Sequence, residues 1–389
     1  MATSDAASVA PIRPAHPPAS LFLMINSLET GGSERQFAVL AQNLNREQFE
    51  LHLGCIRRNG PFVEAFGPMP EFRLGGSLFG WTSLRTRLRL SRHLRHNRVQ
   101  IAHAFDFYTN LTLIPAARLS RVPVVIGSHR QIGDVMAPGQ FRTQAVVLRW
   151  CDAVVCNSHA AAESLVASGT SRDKLVVIGN ALPDEVFVPA VPAVPVVPRR
   201  AGVVRVGMVA RMNARYKNHS GFLRIAARIR AVMPEVEFLL GGDGPLRQEL
   251  EREANDLGLA DSVLFLGDCR DVAAVHASMD VAVLTSDSES LSNVILEAMA
   301  AGLPVVAYRS GGNPELIDKE RGALVAAGNE SEFAGVVLNL LAQPGLREEL
   351  GRNARQFAQQ NFGLDKVRNR YQELYESLLQ KKGLRGSAQ

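Results

Sequence analysis

The chain has 389 residues, 46% apolar and 21% charged, which excludes wholesale disorder and is too long for a single compact core. No apolar run reaches the ~18 residues of a spanning helix, because Arg, Asn or Pro interrupts every stretch. The net charge of +5 is lopsided: residues 1–198 hold 19 Lys and Arg against 14 Asp and Glu, whereas residues 199–389 hold 24 against 24. An anionic partner is therefore expected for the first part only.

Residues 1–18 lack an apolar stretch behind a basic start, so they are no secretory signal and are expected to form a disordered leader. From residue 19 onward, short β-rich runs ending in Gly, Ser or Asn alternate with amphipathic helical stretches. LFLMI leads through Gly31-Gly32 to the helix ERQFAVLAQNL, and LHLGCI, IAHAF, PVVIGSH, AVVCNS and KLVVIGN follow. Between the second and third runs lies SLRTRLRLSRHLRHNR, where Arg85, Arg87, Arg89, Arg92, Arg95 and Arg98 occur with no acid between them. Helical spacing puts Arg85, Arg89, Arg92 and His96 on one outer face and is expected to turn Leu84, Leu88 and Leu94 inward. Such a face, spanning 85–98, suits an anionic membrane surface, with an ordinary solvated face as the alternative. Interleaved aromatics are missing, so no nucleic-acid partner is expected.

Pro189, Pro192, Pro195 and Pro198 mark an extended linker over 188–199. The same strand–helix alternation resumes with VRVGMV and runs through EFLLGG, SVLFLG, DVAVLTS and PVVAY. This predicts an α/β protein of two Rossmann-like, doubly wound parallel-sheet domains, 19–187 and 200–363, facing a central cleft. Val367, Tyr371, Leu374 and Leu378 give residues 364–382 one apolar face, that of a closing helix expected to return to the first domain.

The chemistry concentrates in the second domain. In SDSESLSNVILEAMAAGLPVVAY, Glu289 falls in a strand-to-helix loop, and Glu297 falls about 9 Å along a helix expected to start near Leu291. The amides of Leu291, Ser292 and Asn293 would be free donors suited to phosphate, and carboxylates on either side suit sugar hydroxyls. By spacing alone, the pair reads equally as a solvated Glu289 and a locally paired Glu297. Arg211 and Lys217 follow the strand VRVGMV and suit a diphosphate, although loop cations are more often merely solvated.

Other classes recede. Neither Gly31-Gly32 nor GGDG at 241–244 completes GxGxxG, so a nicotinamide enzyme is disfavoured. Cys55, Cys151, Cys156 and Cys269 show no ligand spacing and fit a reducing cytosol, and the histidines form no metal-binding pair.

Taken together, these segments resemble the retaining family 4 glycosyltransferases (glycosyl transferases group 1) of GT-B fold. The resemblance covers roughly residues 20–380. It rests on E-x7-E at Glu289 and Glu297 with the following AMAAGLPVVA, R-x5-K at Arg211 and Lys217, GGDGP, FLGDCRDV, and Gly311-Gly312-Asn313-Pro314-Glu315. The first domain adds Gly31-Gly32-x-Glu34, GSH ending at His129, CNS at 156–158, and VIGNALPDEVF around Asn180.

The resemblance implies a catalytic set of Glu289, His129, Arg211 and Lys217. Arg211 and Lys217 would hold the donor diphosphate, Glu289 would contact the donor sugar, and His129 would lie beside it. Glu297 would bind ribose, Gly32 would border the diphosphate, and Leu291, Ser292 and Asn293 would offer amides. Cys269 and Arg270 would touch the nucleobase through their backbone. Glu34, Asn180, His103 and Ser158 are expected to be structural. Ser290 and Ser292 stand where the family usually has Gly and often Pro, and Asn218 follows Lys217 in place of the commoner Gly.

The implied reaction is metal-independent, retaining transfer from a nucleoside-diphosphate sugar, UDP expected over GDP, with no cofactor. The acceptor would be a glycan or lipid-linked molecule of envelope or exopolysaccharide synthesis, handled in the cytoplasm at the inner face of the membrane. Two other readings remain at this level. A sugar-nucleotide isomerase or hydrolase of the same fold would consume donor without acceptor, and a non-catalytic scaffold would bind donor without turnover.

Overall fold

In the computed structural model, residues 17–78, 80–187, 196–198, 200–269 and 271–385 are described. The leader up to residue 16, most of the proline-rich stretch and Arg270 lie outside them.

The first domain runs β1 (Ala19–Ile25), α1 (Gly32–Asn43), β2 (Phe49–Cys55), α2 (Trp81–His96), β3 (Ile101–Ala104), α3 (Phe107–Leu119), β4 (Val124–His129), α4 (Pro138–Leu148), β5 (Ala153–Cys156), α5 (His159–Ala167) and β6 (Leu175–Val177). The second runs β7 (Val204–Val209), α6 (His219–Val232), β8 (Val236–Gly241), α7 (Arg247–Asp256), β9 (Val263–Gly267), α8 (Val272–Ala277), β10 (Val281–Leu284), α9 (Asn293–Ala300), β11 (Val305–Tyr308), α10 (Asn313–Leu316), β12 (Gly322–Val325), α11 (Glu330–Ala342) and α12 (Pro344–Phe362). A last helix, α13 (Leu364–Lys381), closes the described chain.

Each domain holds a six-stranded parallel sheet, in the orders β2-β1-β3-β4-β5-β6 and β12-β11-β10-β7-β8-β9. Most of the strands are near-continuous apolar runs because helices cover both faces, so alternation with polar residues would bury unpaired polar groups. In both orders the chain reverses direction across the sheet, between β1 and β3 in one and between β7 and β10 in the other. The carboxyl ends of strands at such a reversal open onto a crevice, which is where doubly wound sheets bind ligands.

The chain changes domain earlier than the proline run suggests. Ile178 and Ala181 pack in the first core, whereas Leu182 and Phe187 already pack in the second. The return crossing lies beside it, with the Leu182 amide donating to the Phe362 carbonyl at 2.8 Å. Helix α13 then lays Val367, Tyr371, Leu374, Tyr375, Leu378 and Leu379 into the first domain's core.

Helix α2 is rotated from the orientation its leucines imply. Leu94 is buried, but Leu84 and Leu88 are 44% and 39% exposed, and Trp81 is 70% exposed. The inward stripe is Ser83, Thr86, Leu90, Ser91 and Leu94. Polar anchors turn it this way: Thr86 Oγ1 donates to the Arg73 carbonyl at 2.6 Å, and Arg87 donates to the Leu111 and Leu78 carbonyls at 3.0 and 2.9 Å. Small hydroxyl residues let α2 sit close to its neighbours while the leucines on the other flank face outward with Arg85, Arg89 and Arg92.

Candidate active site

A cavity of about 450 Å³ lies between the domains. Gly32, Arg211, Lys217, Cys269, Glu289, Leu291, Ser292, Asn293 and Glu297 all line it. Its second-domain wall is built where the sheet reverses, from the loop after β7 and the loop after β10. The two loops are tied together: the Asp287 amide donates to the Tyr216 carbonyl at 2.8 Å, and Thr285 Oγ1 donates to the Asn218 carbonyl at 2.8 Å. The turn after Lys217 needs a left-handed residue, and Asn218 supplies it at φ +53° while capping α6. Asn tolerates that conformation better than most side chains, so the departure from Gly is structurally cheap.

Within this wall, Lys217 Nζ donates to Glu289 Oε1 at 2.6 Å, joining the two motifs. Arg211 is exposed into the cavity and has no side-chain partner among the described residues. The loop carrying Glu289 is held from behind by Gly311 and Gly312. Gly311 adopts φ +48°, and the Gly312 amide donates to the Glu289 carbonyl at 3.0 Å. A Cβ at either glycine would run into the Glu289 or Ser290 carbonyl, so the pair of glycines lets two backbone segments pack directly.

Helix α9 starts at Asn293, two residues later than the sequence suggests. Ser292 is its cap, with Oγ accepting from the Ile295 amide at 3.4 Å, so Leu291 and Ser292 lie in the loop before it. The serine takes over the start of the helix because its hydroxyl competes for a first-turn amide. Glu297 therefore stands about 6 Å above the helix start, nearer the free amides than expected. It is 9% exposed, and burial raises its pKa while the adjoining Arg35 guanidinium opposes that rise.

The opposite wall comes from the first domain. Gly32 opens α1 so close to α9 that a Cβ there would lie 2.9 Å from Asn293 Nδ2. Arg35, one turn into α1, forms an ion pair with Glu297 across the cleft. Further links join the domains: Ser288 Oγ donates to Asp134 Oδ1 at 2.7 Å, and Ser290 Oγ donates to Asn157 and lies 3.3 Å from Ser158 Oγ. The Glu315 carboxylate accepts from the His159 and Ala160 amides at 2.8 and 2.9 Å, capping α5 from the other domain. Ser290 is not among the described residues with positive φ, so glycine's freedom is unused there and the hydroxyl serves as a contact between domains.

His129 is a correction. It ends β4 but is 1% exposed and does not line the cavity. Its Nε2 lies 3.1 Å from Ser164 Oγ, its Nδ1 lies 2.8 Å from Gln144 Nε2, and burial holds its pKa down to about 4. The alternation of side chains along β4 points the ring between α4 and α5, and the next residue, Arg130, faces the cavity instead. His103 likewise bridges Tyr375 and Ser128 at 2.8 and 2.9 Å as a buried neutral ring, with its pKa lowered to about 3. Glu34 is partly buried, and that loss of solvation raises its pKa. Among the described residues, no group of three His, Cys, Asp or Glu is placed to hold a metal ion.

Residues 30–186 match the Glycosyltransferase Family 4 domain, and residues 203–343 match the Glycosyl transferases group 1 domain. The lipopolysaccharide core biosynthesis glycosyltransferase LpsD of Rhizobium meliloti (strain 1021) is 33% identical over 353 residues, covering 89% of this chain and 95% of that protein. The chain belongs to the family 4, group 1 glycosyltransferases. LpsE of the same organism is 31% identical over 240 residues, covering 61% of this chain and 68% of LpsE. Anabaena HepE in complex with UDP and glucose shares the fold with a TM-score of 0.79 at 20% identity, covering 92% of this chain and 99% of HepE. Sucrose-phosphate synthase from Thermosynechococcus elongatus has a TM-score of 0.74 at 19% identity, covering 93% of this chain and 100% of that one. The GT-B architecture follows from these likenesses and from the two sheets.

Sequence reasoning about this glycosyltransferase missed the first-domain arginines. Arg35 follows the Gly-Gly turn and Arg130 directly follows a strand end, so both carry a local signal. Neither has a sequence neighbour that identifies its partner, because each partner lies more than 45 residues away.

Proposed function

We propose that this glycosyltransferase moves a sugar, with retention of configuration and without a metal, from a nucleoside-diphosphate sugar to a glycan or lipid-linked acceptor of envelope polysaccharide. The observation that carries the donor reading is the unpaired Arg211 in one cavity with Lys217, the start of α9 and Glu297. Breaking the anomeric C–O bond leaves a nucleoside diphosphate whose growing charge needs preorganised cations and amides, usually the largest catalytic contribution. Arg211 forks onto phosphate oxygens and Lys217 adds a point charge, the role a divalent ion plays elsewhere. Glu297 accepts from ribose hydroxyls once Arg35 yields, and Glu289 faces the donor sugar. The backbone near Cys269 meets the base.

UDP is the preferred nucleotide in this reading, supported by HepE, which forms complexes with UDP and with UDP-glucose. The names of LpsD and LpsE support a role in lipopolysaccharide or related polysaccharide synthesis. Lipid-linked acceptors place the enzyme at the inner face of a membrane. The exposed side of α2 suits such a surface, with Trp81, Leu84 and Leu88 set among arginines. No described helix is long and apolar enough to cross a membrane.

A thermal-shift screen of nucleotide sugars tests the proposal. A donor should stabilise the protein beyond its bare nucleoside diphosphate. Stabilisation by no nucleotide sugar at all would contradict it.

A further inference from the structure

Among the described residues, four cations line the cavity: Arg35 and Arg130 from the first domain, Arg211 and Lys217 from the second. Arg35 is held by Glu297 and Lys217 by Glu289. Arg130 and Arg211 have no carboxylate partner among the described residues, and they stand on opposite walls.

Arg130 is held in place by neutral groups. Its guanidinium carbon lies 5.1 Å from the centre of the Phe105 ring, Nη2 donates to Asn180 Oδ1, and Nη1 lies 3.5 Å from the Tyr371 hydroxyl. The titratable groups whose ionisation it influences include His103, Cys156 and Tyr371. His103 is pushed down to about 3, Cys156 is pushed up to about 12, and burial raises Tyr371, so all three are uncharged near neutrality. A half-buried cation fixed only by neutral partners has lost solvation without gaining a counter-ion, and it keeps N–H donors to spare.

Its position is set by the start of α9. Asn180, which accepts from Arg130, donates through Nδ2 to Asn293 Oδ1 at 2.7 Å and to the Leu291 carbonyl at 3.2 Å. One side chain therefore separates the guanidinium from the first residue of the helix whose amides face the cavity.

We infer that Arg130 is a third ligand of the donor diphosphate, supplied by the acceptor-side domain, so that the diphosphate is gripped from both walls by Arg130 and Arg211. The inference rests on the nucleotide-sugar reading above. It gives Asn180 the part of a positioning residue that aims Arg130 at the start of α9. An anion held between Arg130 and Arg211, which line the cavity from different domains without a carboxylate partner among the described residues, would also favour the closed arrangement of the two domains.

Calorimetric titration of the full chain with UDP, UMP, GDP, GMP and inorganic pyrophosphate tests this, using wild type, Arg130→Gln and Arg130→Lys, with the guanine pair read in place of UDP and UMP where wild type binds only GDP. In Arg130→Gln, UDP affinity should fall about tenfold or more while UMP affinity changes much less, so the UDP-to-UMP preference collapses. Arg130→Lys should restore part of the preference, since it returns the charge without the fork. A merely structural role would weaken UDP and UMP alike, and an unchanged preference in Arg130→Gln overturns the inference while leaving the donor reading intact. Wild type that binds pyrophosphate but neither UDP nor GDP overturns the nucleotide reading instead. In that case loss of pyrophosphate binding in Arg130→Gln still supports Arg130 as the anion ligand, and retention of it overturns the assignment.

Discussion

Lys217 Nζ and Glu289 Oε1 lie 2.6 Å apart, which couples the cation of one motif to the first carboxylate of the other. Glu297, by contrast, pairs with Arg35 from the opposite domain. The two glutamates should therefore fail differently. Glu297→Gln is expected to weaken binding of a bare nucleoside diphosphate about tenfold, because the proposed ribose contact uses both carboxylate oxygens and the amide keeps only one acceptor. Glu289→Gln should leave that affinity unchanged or slightly raised, since Lys217 is released toward phosphate, while sugar transfer falls. Titration calorimetry alongside initial rates checks both. Equal affinity losses in the two variants would contradict the geometry.

Glu315 caps α5 across the cleft through the His159 and Ala160 amides. Glu315→Ala leaves those amides without their partner and should cost roughly 1 kcal/mol. Hydrogen exchange at residues 159 and 160 should quicken with or without donor nucleotide, because the acceptor itself is gone. Unaltered exchange at both amides would show that the cap is not maintained in solution.

His103 is a buried neutral ring with a pKa lowered to about 3. Its unfolded counterpart titrates near 6.5, so between those values the unfolded chain binds more protons and stability falls as pH falls. From pH 7 to pH 5 this group alone should remove roughly 2 kcal/mol. Denaturant titrations at the two pH values should show wild type losing about that much more than His103→Asn. An equal loss in both would mean the ring is solvated or already charged.

The outward face of α2 carries Arg85, Arg89 and Arg92 with Trp81 and Leu88. Wild type should sediment with vesicles rich in anionic lipid at low salt and detach at high salt. Arg85/Arg92→Glu should abolish sedimentation, and Trp81→Ser should weaken it while donor binding persists. Equal recovery in the supernatant with anionic and neutral vesicles would exclude the surface.

Much of this was legible in the chain. The apolar runs and Gly-terminated strands show two parallel sheets, because strands buried on both faces leave no alternation. Glu289, Glu297, Arg211 and Lys217 stand out because the two strands flanking the reversal each end in a motif. What escaped depends on tertiary packing. The inward face of α2 is set by Thr86 and Arg87 bonding to distant carbonyls, which leucine counting does not see. His129 was misplaced because a strand's last side chain points to one face or the other, and helices α4 and α5 decide which. Arg35 and Arg130 belong to the site only because the first domain forms its opposite wall, which no local sequence pattern around them shows.

The most direct test of the account is the rate of nucleoside diphosphate release from the donor found by screening, with acceptor and with EDTA present, in Arg211→Ala and Lys217→Ala. Wild type should turn over undiminished by the chelator, while each variant falls at least about a hundredfold, in line with removal of a preorganised charge from the leaving group. Turnover in either variant equal to wild type, or wild-type activity that vanishes with EDTA and returns with Mg²⁺ or Mn²⁺, would contradict a leaving group stabilised by these two side chains.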